Sequence, residues 1–230
     1  MLIFINFLEL SYYNLYMSII EKNKFSVAIK NMSDLIYENQ ISDKKVFPVS
    51  SVIMDKKGQI ITKKINEKKK QEKEIKYNEH HAEFLCLKSI DIKQNKKLFL
   101  FVTIPPCEFC YKNMMSMTNK TGITWEIYYL NDDIREKISN KFWESFKNSG
   151  HKIKKLYISK LNDKESEIRM LYCINTIINA FASHKNSDQK IIKTKMKNHK
   201  IKMQIYFRSL RASRNQVQTE WVYKFYKKGI

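Results

Sequence analysis

The sequence is poor in glycine and proline, with 4 Gly and 3 Pro in 230 residues. That scarcity argues against a linker-rich, collagen-like or low-complexity chain. Cysteine is sparse as well, with four residues in the chain. So few cysteines do not make a disulfide-dense scaffold. The hydrophobic fraction of 43% is enough for a core and excludes a fully disordered chain. We therefore expect one globular domain with extensions.

The first 20 residues are apolar and aromatic but lack the marks of a signal peptide. They have no basic start and no small-residue cleavage site. Glu9 interrupts the apolar run too early for a membrane span. We interpret residues 1–23 as an N-terminal extension and expect a cytoplasmic protein with no membrane partner. A start of translation at Met17 is a hypothesis that fits the same stretch.

Basic residues outnumber acidic ones, with 43 Lys and Arg against 23 Asp and Glu, and the formal net charge is +20. Such a charge favours polyanionic partners, nucleic acid first. The chain is also rich in Lys, Asn and Ile, as AT-rich coding would produce, so the lysine content has a second explanation. Both readings remain open at this point.

Residues 184–230 form a segment of different composition. They hold thirteen Lys or Arg residues but only Asp188 and Glu220 as acids, with aromatic residues interleaved. Basic side chains contact phosphates and aromatic rings stack on unpaired bases, which predicts a tail that binds RNA or single strands. The alternative is a basic helix whose aromatic residues pack back on the domain.

Between the two extensions, hydrophobic periodicity predicts alternating helices and strands. A helix between the last two strands implies a right-handed crossover and a parallel pair. The prediction is an α/β fold over residues 24–183, with three α/β/α layers and a mixed five-stranded sheet covered by helices on both faces. The predicted elements are a helix over 24–39, strands over 46–54 and 59–65 joined by a turn at Asp55–Gly58, a helix from Asn78 to Ile90, a strand over 97–104, a helix from Pro106 to about Met117, a strand over 124–130, a helix over 132–146, a strand over 152–161 and a helix capped by Asp163 and ending near Ala182.

Two short motifs carry the chemistry: His81-Ala82-Glu83 and Pro106-Cys107-Glu108-Phe109-Cys110, with 22 residues between Glu83 and Pro106. One histidine and two cysteines supply three ligands for a tetrahedral Zn²⁺ and leave the fourth position for water, as catalytic zinc sites do. A Cys-x-x-Cys pair alone is also found in redox dithiols. The histidine upstream favours zinc, and zinc thiolates suit a reducing cytosol.

Glu83 lies two residues past the histidine, where a carboxylate can shuttle protons without binding the metal. His80 is an alternative ligand, but its spacing to Glu83 favours His81. Cys86 and Cys173 lie on apolar helical stretches and are predicted to be buried small hydrophobic residues. The charged run 67–76 is interpreted as a loop near the site.

The paired motifs match the H-x-E…P-C-x-x-C signature of zinc deaminases, and the chain resembles the cytidine deaminase-like superfamily. From Phe47 to Cys110 it is most similar to tRNA adenosine deaminases. The resemblance implies a hydrolase that converts the wobble adenosine of a tRNA anticodon to inosine, with Glu83 as the catalytic residue and His81, Cys107 and Cys110 as ligands of Zn²⁺. It also implies that Asn66 contacts the substrate nucleoside and that the protein works as a homodimer or heterodimer.

Some residues depart from the tRNA deaminase pattern. Pro105 replaces the usual glutamate, the large Tyr111 follows the second cysteine where small residues are usual, and the Ser-Arg-Ile run beyond is missing. Adenosine and cytidine both remain open as the target. Two alternatives also stay open: a free nucleotide deaminase of the deoxycytidylate type, and a non-catalytic RNA-binding subunit. The presence of Glu83 argues against the second, since an inactive subunit needs no proton shuttle.

Overall fold

A single five-stranded sheet organises the domain. The computed structural model describes residues 23–43, 46–67, 80–91, 97–131, 140–161 and 163–182. The strands are β1 (Ser50–Met54), β2 (Ile60–Ile65), β3 (Lys97–Val102), β4 (Thr124–Tyr129) and β5 (Lys152–Lys155). Their order across the sheet is β2-β1-β3-β4-β5. β1 is antiparallel to both β2 and β3, whereas β3, β4 and β5 are parallel. The predicted mixed sheet and its parallel last pair are confirmed.

Helices cover both faces of this sheet. They are α1 (23–41), α2 (Ala82–Lys88), α3 (Glu108–Thr121), α4 (Asn140–Asn148) and α5 (Lys164–Ala182), with a 3-10 turn at Ile158–Lys160. None of the helices in the described ranges is both long and apolar enough to span a bilayer. Residues 1–22 of the N-terminal extension, the whole segment 184–230 and the charged run from 68 onward lie outside the described residues, as does the predicted helical stretch 132–139.

The central strand β3 is buried on both sides from Leu98 to Val102, which explains its continuous apolar sequence. On β3, Leu98, Leu100 and Val102 face a metal-side cluster built with α2, α3 and α4. Phe99 and Phe101 face the opposite way, into a far-side cluster built with α1 and part of α5. The period-two alternation of β3 thus feeds two cores. The predicted three-layer α/β/α architecture is confirmed.

The hairpin between β1 and β2 follows the predicted turn. The Asp55 Oδ1 atom accepts backbone hydrogen bonds from Lys57 at 2.8 Å and Gln59 at 2.9 Å. Gly58 has φ +83°, in the left-handed region that favours glycine. At the start of α5, Asp163 accepts a hydrogen bond from the Ser166 backbone N–H at 2.7 Å, which confirms it as the helix cap.

Several predicted boundaries are wrong. α2 begins at Ala82 rather than after Asn78, and α3 begins at Glu108, so Pro106 precedes the helix. α3 continues past Met117 to Thr121, because Gly122 with φ 70° forms its cap.

The strand predictions were also too long at their outer ends. β1 starts at Ser50 rather than at residue 46, β3 ends at Val102, and β5 ends at Lys155 instead of continuing to Leu161. Beyond β5 the chain leaves the ladder and enters the 3-10 turn. Apolar residues there still pack in the far-side cluster, so their alternation looked like a longer strand.

Candidate metal and catalytic site

Two helix starts meet where β3 ends. Beyond β3 the chain runs through residues 103–106 to Cys107, which is the N-cap of α3. His81 is the N-cap of α2, which packs beside β1 and β2. The rings of Phe84 and Phe109, one from each first helical turn, lie 5.0 Å apart and join the two helix starts.

The three predicted metal ligands converge. The His81 Nδ1 atom lies 3.4 Å from the Cys107 Sγ and 3.6 Å from the Cys110 Sγ, and the two sulfurs are 3.7 Å apart. A tetrahedral zinc with bonds of about 2.3 Å to sulfur and about 2.05 Å to nitrogen would separate its ligands by about 3.6 to 3.8 Å. The triangle therefore fits zinc in both donor type and size, and its three residues are positioned to bind a metal ion.

The structure distinguishes between the two adjacent histidines. His81, not His80, contributes the nitrogen that lies within 4.8 Å of both sulfurs. The His80 ring meets the His81 ring edge-on at 4.8 Å between centroids. His80 thus contacts His81 and is not itself one of the three grouped residues. The spacing to Glu83 favoured the same choice of His81.

The two thiols have unequal proton affinities. The hydrogen bond between the two thiols, aided by His81, lowers the pKa of Cys107 to about 4 in spite of burial. The same thiol pair, together with burial and the negative charge of Glu83, raises the pKa of Cys110 well above its usual value. A bound metal cation favours the deprotonated form of both thiols.

Glu83 lies beside this triangle without belonging to it. It occupies the first turn of α2 and is only 3% exposed. Burial and, to a smaller extent, the negative charge of Glu83 raise the pKa of both Cys110 and Tyr111. A buried carboxylate next to three metal ligands is the arrangement that proton transfer at the metal requires.

Asn66 links β2 to α2. The Asn66 Oδ1 atom accepts a 2.8 Å hydrogen bond from the backbone N–H of Ala82, and the residue is 8% exposed. The side chain of His81 makes no capping hydrogen bond, so Asn66 satisfies a donor of the α2 N-terminus in its place. The sequence suggested the substrate role by resemblance but did not show the structural one.

Tyr111 is a residue whose placement the sequence did not reveal. It is fully buried one position after the second cysteine, and its ring lies 4.8 Å from that of Phe146. Burial is the main cause that raises its pKa, so the phenol stays neutral. The large side chain that replaces the usual small one is therefore packed in the metal-side cluster and does not lie on the surface.

The remaining cysteines behave as predicted. Cys86 and Cys173 are both buried and free. Burial raises the pKa of Cys86 to about 12 and likewise raises that of Cys173. Neither thiol belongs to the His81, Cys107 and Cys110 group.

Comparison with known proteins agrees with this geometry. Residues 26–124 match the family model described as the cytidine and deoxycytidylate deaminase zinc-binding region, which confirms the predicted superfamily for that part of the chain. No curated protein matches the chain.

Solved structures with a similar arrangement include Acinetobacter baumannii RibD, at 15% identity and a TM-score of 0.44, over 68% of this chain and 40% of that one. Another is a diaminohydroxyphosphoribosylaminopyrimidine deaminase/5-amino-6-(5-phosphoribosylamino)uracil reductase from Thermotoga maritima, at 17% identity and a TM-score of 0.44, over 69% of this chain and 42% of that one. The chain thus spans about two fifths of the length of these proteins.

Proposed function

We propose that this chain, whose residues 26–124 are a cytidine and deoxycytidylate deaminase zinc-binding region, is a hydrolytic deaminase of a nucleobase within nucleic acid. Adenosine in tRNA, converted to inosine, is the substrate that we favour. The single observation that carries the proposal is the triangle of His81, Cys107 and Cys110 with the buried Glu83 beside it.

Each residue has a role in the proposed reaction. Zinc held by His81, Cys107 and Cys110 would activate a water molecule as the nucleophile. Glu83 takes a proton from that water, delivers it to a ring nitrogen of the base, and then transfers a second proton to the departing amine. A carbon–oxygen bond forms and a carbon–nitrogen bond breaks, so one water is consumed and one ammonia released. The burial of Glu83 and Cys110 keeps bulk water from these steps.

Asn66 orients the nucleoside in this proposal. Its oxygen is held by the Ala82 N–H at 2.8 Å, which fixes the side-chain plane and directs the NH₂ group away from α2. A fixed donor of this kind positions a substrate acceptor at little entropic cost.

The preference for nucleic acid rests on charge and on sequence resemblance. The formal net charge of +20 favours a phosphate backbone as partner. The segment from Phe47 to Cys110 resembles tRNA adenosine deaminases, and this resemblance favours adenosine in tRNA over other substrates. The basic segment 184–230 is proposed as an additional docking element for RNA.

A second candidate is a free nucleotide deaminase. The family description itself names cytidine and deoxycytidylate deaminases, and this observation favours a small pyrimidine substrate. In that case the lysine content would reflect coding composition alone.

One experiment separates the two candidates. Zinc-loaded protein is incubated with unmodified tRNA and, in parallel, with free cytidine and deoxycytidine nucleotides, and the nucleosides are analysed by mass spectrometry. Inosine in the RNA, absent with a Glu83→Ala variant, is the expected result. Uridine nucleotides with unchanged RNA would support the second candidate. No product from either substrate by a zinc-loaded, folded protein would contradict both.

The domain boundaries, the oligomeric state and the cellular location are proposals as well. We assign the deaminase domain to residues 24–183, between extensions 1–23 and 184–230, and expect a homodimer or heterodimer in the reducing cytoplasm. Light scattering coupled to size exclusion tests the homodimer, since it would give twice the 27.6 kDa chain mass.

A further inference from the structure

The two cysteines of the candidate metal site lie in an arrangement that also suits a reversible disulfide. Cys107 is the N-cap of α3 and Cys110 lies in the first turn of that helix. Their sulfurs are 3.7 Å apart. A disulfide joins its sulfurs at about 2.04 Å, so a movement of about 1.7 Å brings the pair to bonding distance. The Cys-x-x-Cys spacing is also that of thiol–disulfide oxidoreductases.

Packing on both sides of the pair fixes the backbone that holds the sulfurs. Pro105 and Pro106 come directly before Cys107 and are buried. Their rings restrict φ, so the chain that leads into α3 has little conformational freedom. Within α3, Tyr111 and Met114 are fully buried in the metal-side cluster. The fold itself therefore holds the two sulfurs close together, in addition to any metal that they share.

The two thiols differ in their access to solvent. Cys107 is half-buried, whereas Cys110 is buried. An oxidant from solution therefore reaches Cys107 first. Cys110 is then placed to attack the sulfur of Cys107 from inside the protein. The pair thus has one thiol for entry and one for resolution.

The other two cysteines are sheltered from the same oxidant. All four cysteines lie within the described residues, and Cys107 alone among them is not buried. Cys86 belongs to the metal-side cluster and Cys173 to the far-side cluster. Thiol–disulfide exchange requires direct contact between sulfurs, so these two residues are internal references for selective oxidation.

We propose that Cys107 and Cys110 form a reversible disulfide under oxidising conditions, and that this disulfide prevents metal binding. The candidate site then holds zinc only in its reduced form, which makes the ligand pair a redox switch. A small disulfide of the glutathione class is the oxidant. The inference goes beyond the proposed function, because it concerns the state of the ligand pair and not the substrate.

The reaction consists of two consecutive thiol–disulfide exchanges. The Cys107 sulfur attacks the small disulfide, forms a mixed disulfide and expels one small thiol. The Cys110 sulfur then attacks the Cys107 sulfur, forms the bond between them and expels the second small thiol. The two protein thiols lose two electrons and two protons, and the small disulfide gains both. Of the three grouped ligands only His81 then remains, which is too few for a zinc site.

The test uses the full chain and needs no nucleobase substrate. Zinc-loaded and metal-free protein are treated with oxidised glutathione, the remaining thiols are alkylated, and peptide mass spectrometry assigns the state of each cysteine. A chromogenic chelator measures the zinc that is released. Cys107→Ser and Cys110→Ser are compared in the metal-free form, with Cys173→Ser as the matched control.

We expect the parent to lose two of its four thiols as a disulfide between Cys107 and Cys110 and to release about one zinc ion per chain. Dithiothreitol should restore both thiols and zinc binding. Cys110→Ser should stop at a mixed disulfide between Cys107 and glutathione. Cys107→Ser should form neither product, and Cys173→Ser should behave as the parent does.

Reduced Cys107 and Cys110, under conditions that oxidise a Cys-x-x-Cys peptide, would overturn the inference. Oxidation of Cys86 and Cys173 at the rate of Cys107 would overturn it too, because the reaction would then not depend on the folded arrangement. The expected thiol and zinc results from a chain that deaminates no nucleobase would support this inference while contradicting the proposed function. A parent protein that binds no zinc would overturn both.

Discussion

The oxygen of the Asn66 side chain lies 2.8 Å from the backbone nitrogen of Ala82 and joins the end of β2 to the first residue of α2. His81 precedes Ala82, so this single hydrogen bond fixes the backbone that carries a metal ligand. Asn66 therefore combines a structural role, through its oxygen, with the proposed substrate role of its NH₂ group.

Two substitutions separate these roles. Asn66→Ala leaves the Ala82 N–H buried without its acceptor, and we expect a loss of about 1–3 kcal/mol in unfolding free energy together with weaker zinc binding. Asn66→Asp keeps an acceptor at a helix N-terminus, where a negative charge is favourable, but removes the NH₂ donor. It should keep zinc while losing substrate affinity. Chemical denaturation, zinc analysis and KM measure the three effects, and equal behaviour of both variants would contradict this division.

The metal ligands are tested by serine substitution. Cys107→Ser and Cys110→Ser each remove a thiolate from the triangle, so we expect bound zinc to fall from about one ion per chain to a small fraction of that value. Cys173→Ser is the matched control, because Cys173 lies in the far-side cluster. It should reduce stability by about 1–3 kcal/mol through burial of a hydroxyl while retaining zinc. Elemental analysis of the purified proteins measures the bound zinc. Zinc loss in the Cys173→Ser control alone would contradict the assignment of Cys107 and Cys110 as ligands.

Sequence patterns predicted the ligand set because a helix start supplies Cys107 and Cys110 three residues apart, and the apolar run of β3 between the motifs signals a buried strand. They did not locate the helix starts. The start of α2 depends on Asn66, sixteen residues away, and such a contact leaves no periodic signal.

Glu126 is a buried carboxylate whose placement depends on tertiary contacts. On β4 it is 4% exposed, and it accepts hydrogen bonds from Tyr128 at 2.6 Å and Lys154 at 3.2 Å and pairs with Lys97 at 2.8 Å. Burial raises the pKa of Glu126, but the hydrogen bonds and charges of these partners outweigh it and lower the pKa to about 2. The carboxylate therefore stabilises the fold only while it is ionised.

The pH dependence of stability follows from that shift. The folded pKa lies below the value of about 4.3 in an unfolded chain, so the contribution is fully present above about pH 5 and is lost as the pH falls towards 2. Glu126→Gln should lower the unfolding free energy by about 1–3 kcal/mol at pH 7, and the difference from the parent should shrink below pH 4. Glu144→Gln, at an exposed position of α4, is the control. A Glu126→Gln deficit that is independent of pH would contradict the assignment.

Turnover by the Glu83→Gln variant tests the central claim most directly. Parent and variant, each shown to carry zinc and to unfold at the same temperature, are incubated with tRNA and with free nucleotides in ¹⁸O-labelled water. We expect the parent to place one labelled oxygen in the product base and the variant to be slower by about 10²- to 10⁴-fold, because the amide cannot carry the proton. Glu83→Gln turning over at the parent rate would contradict the account.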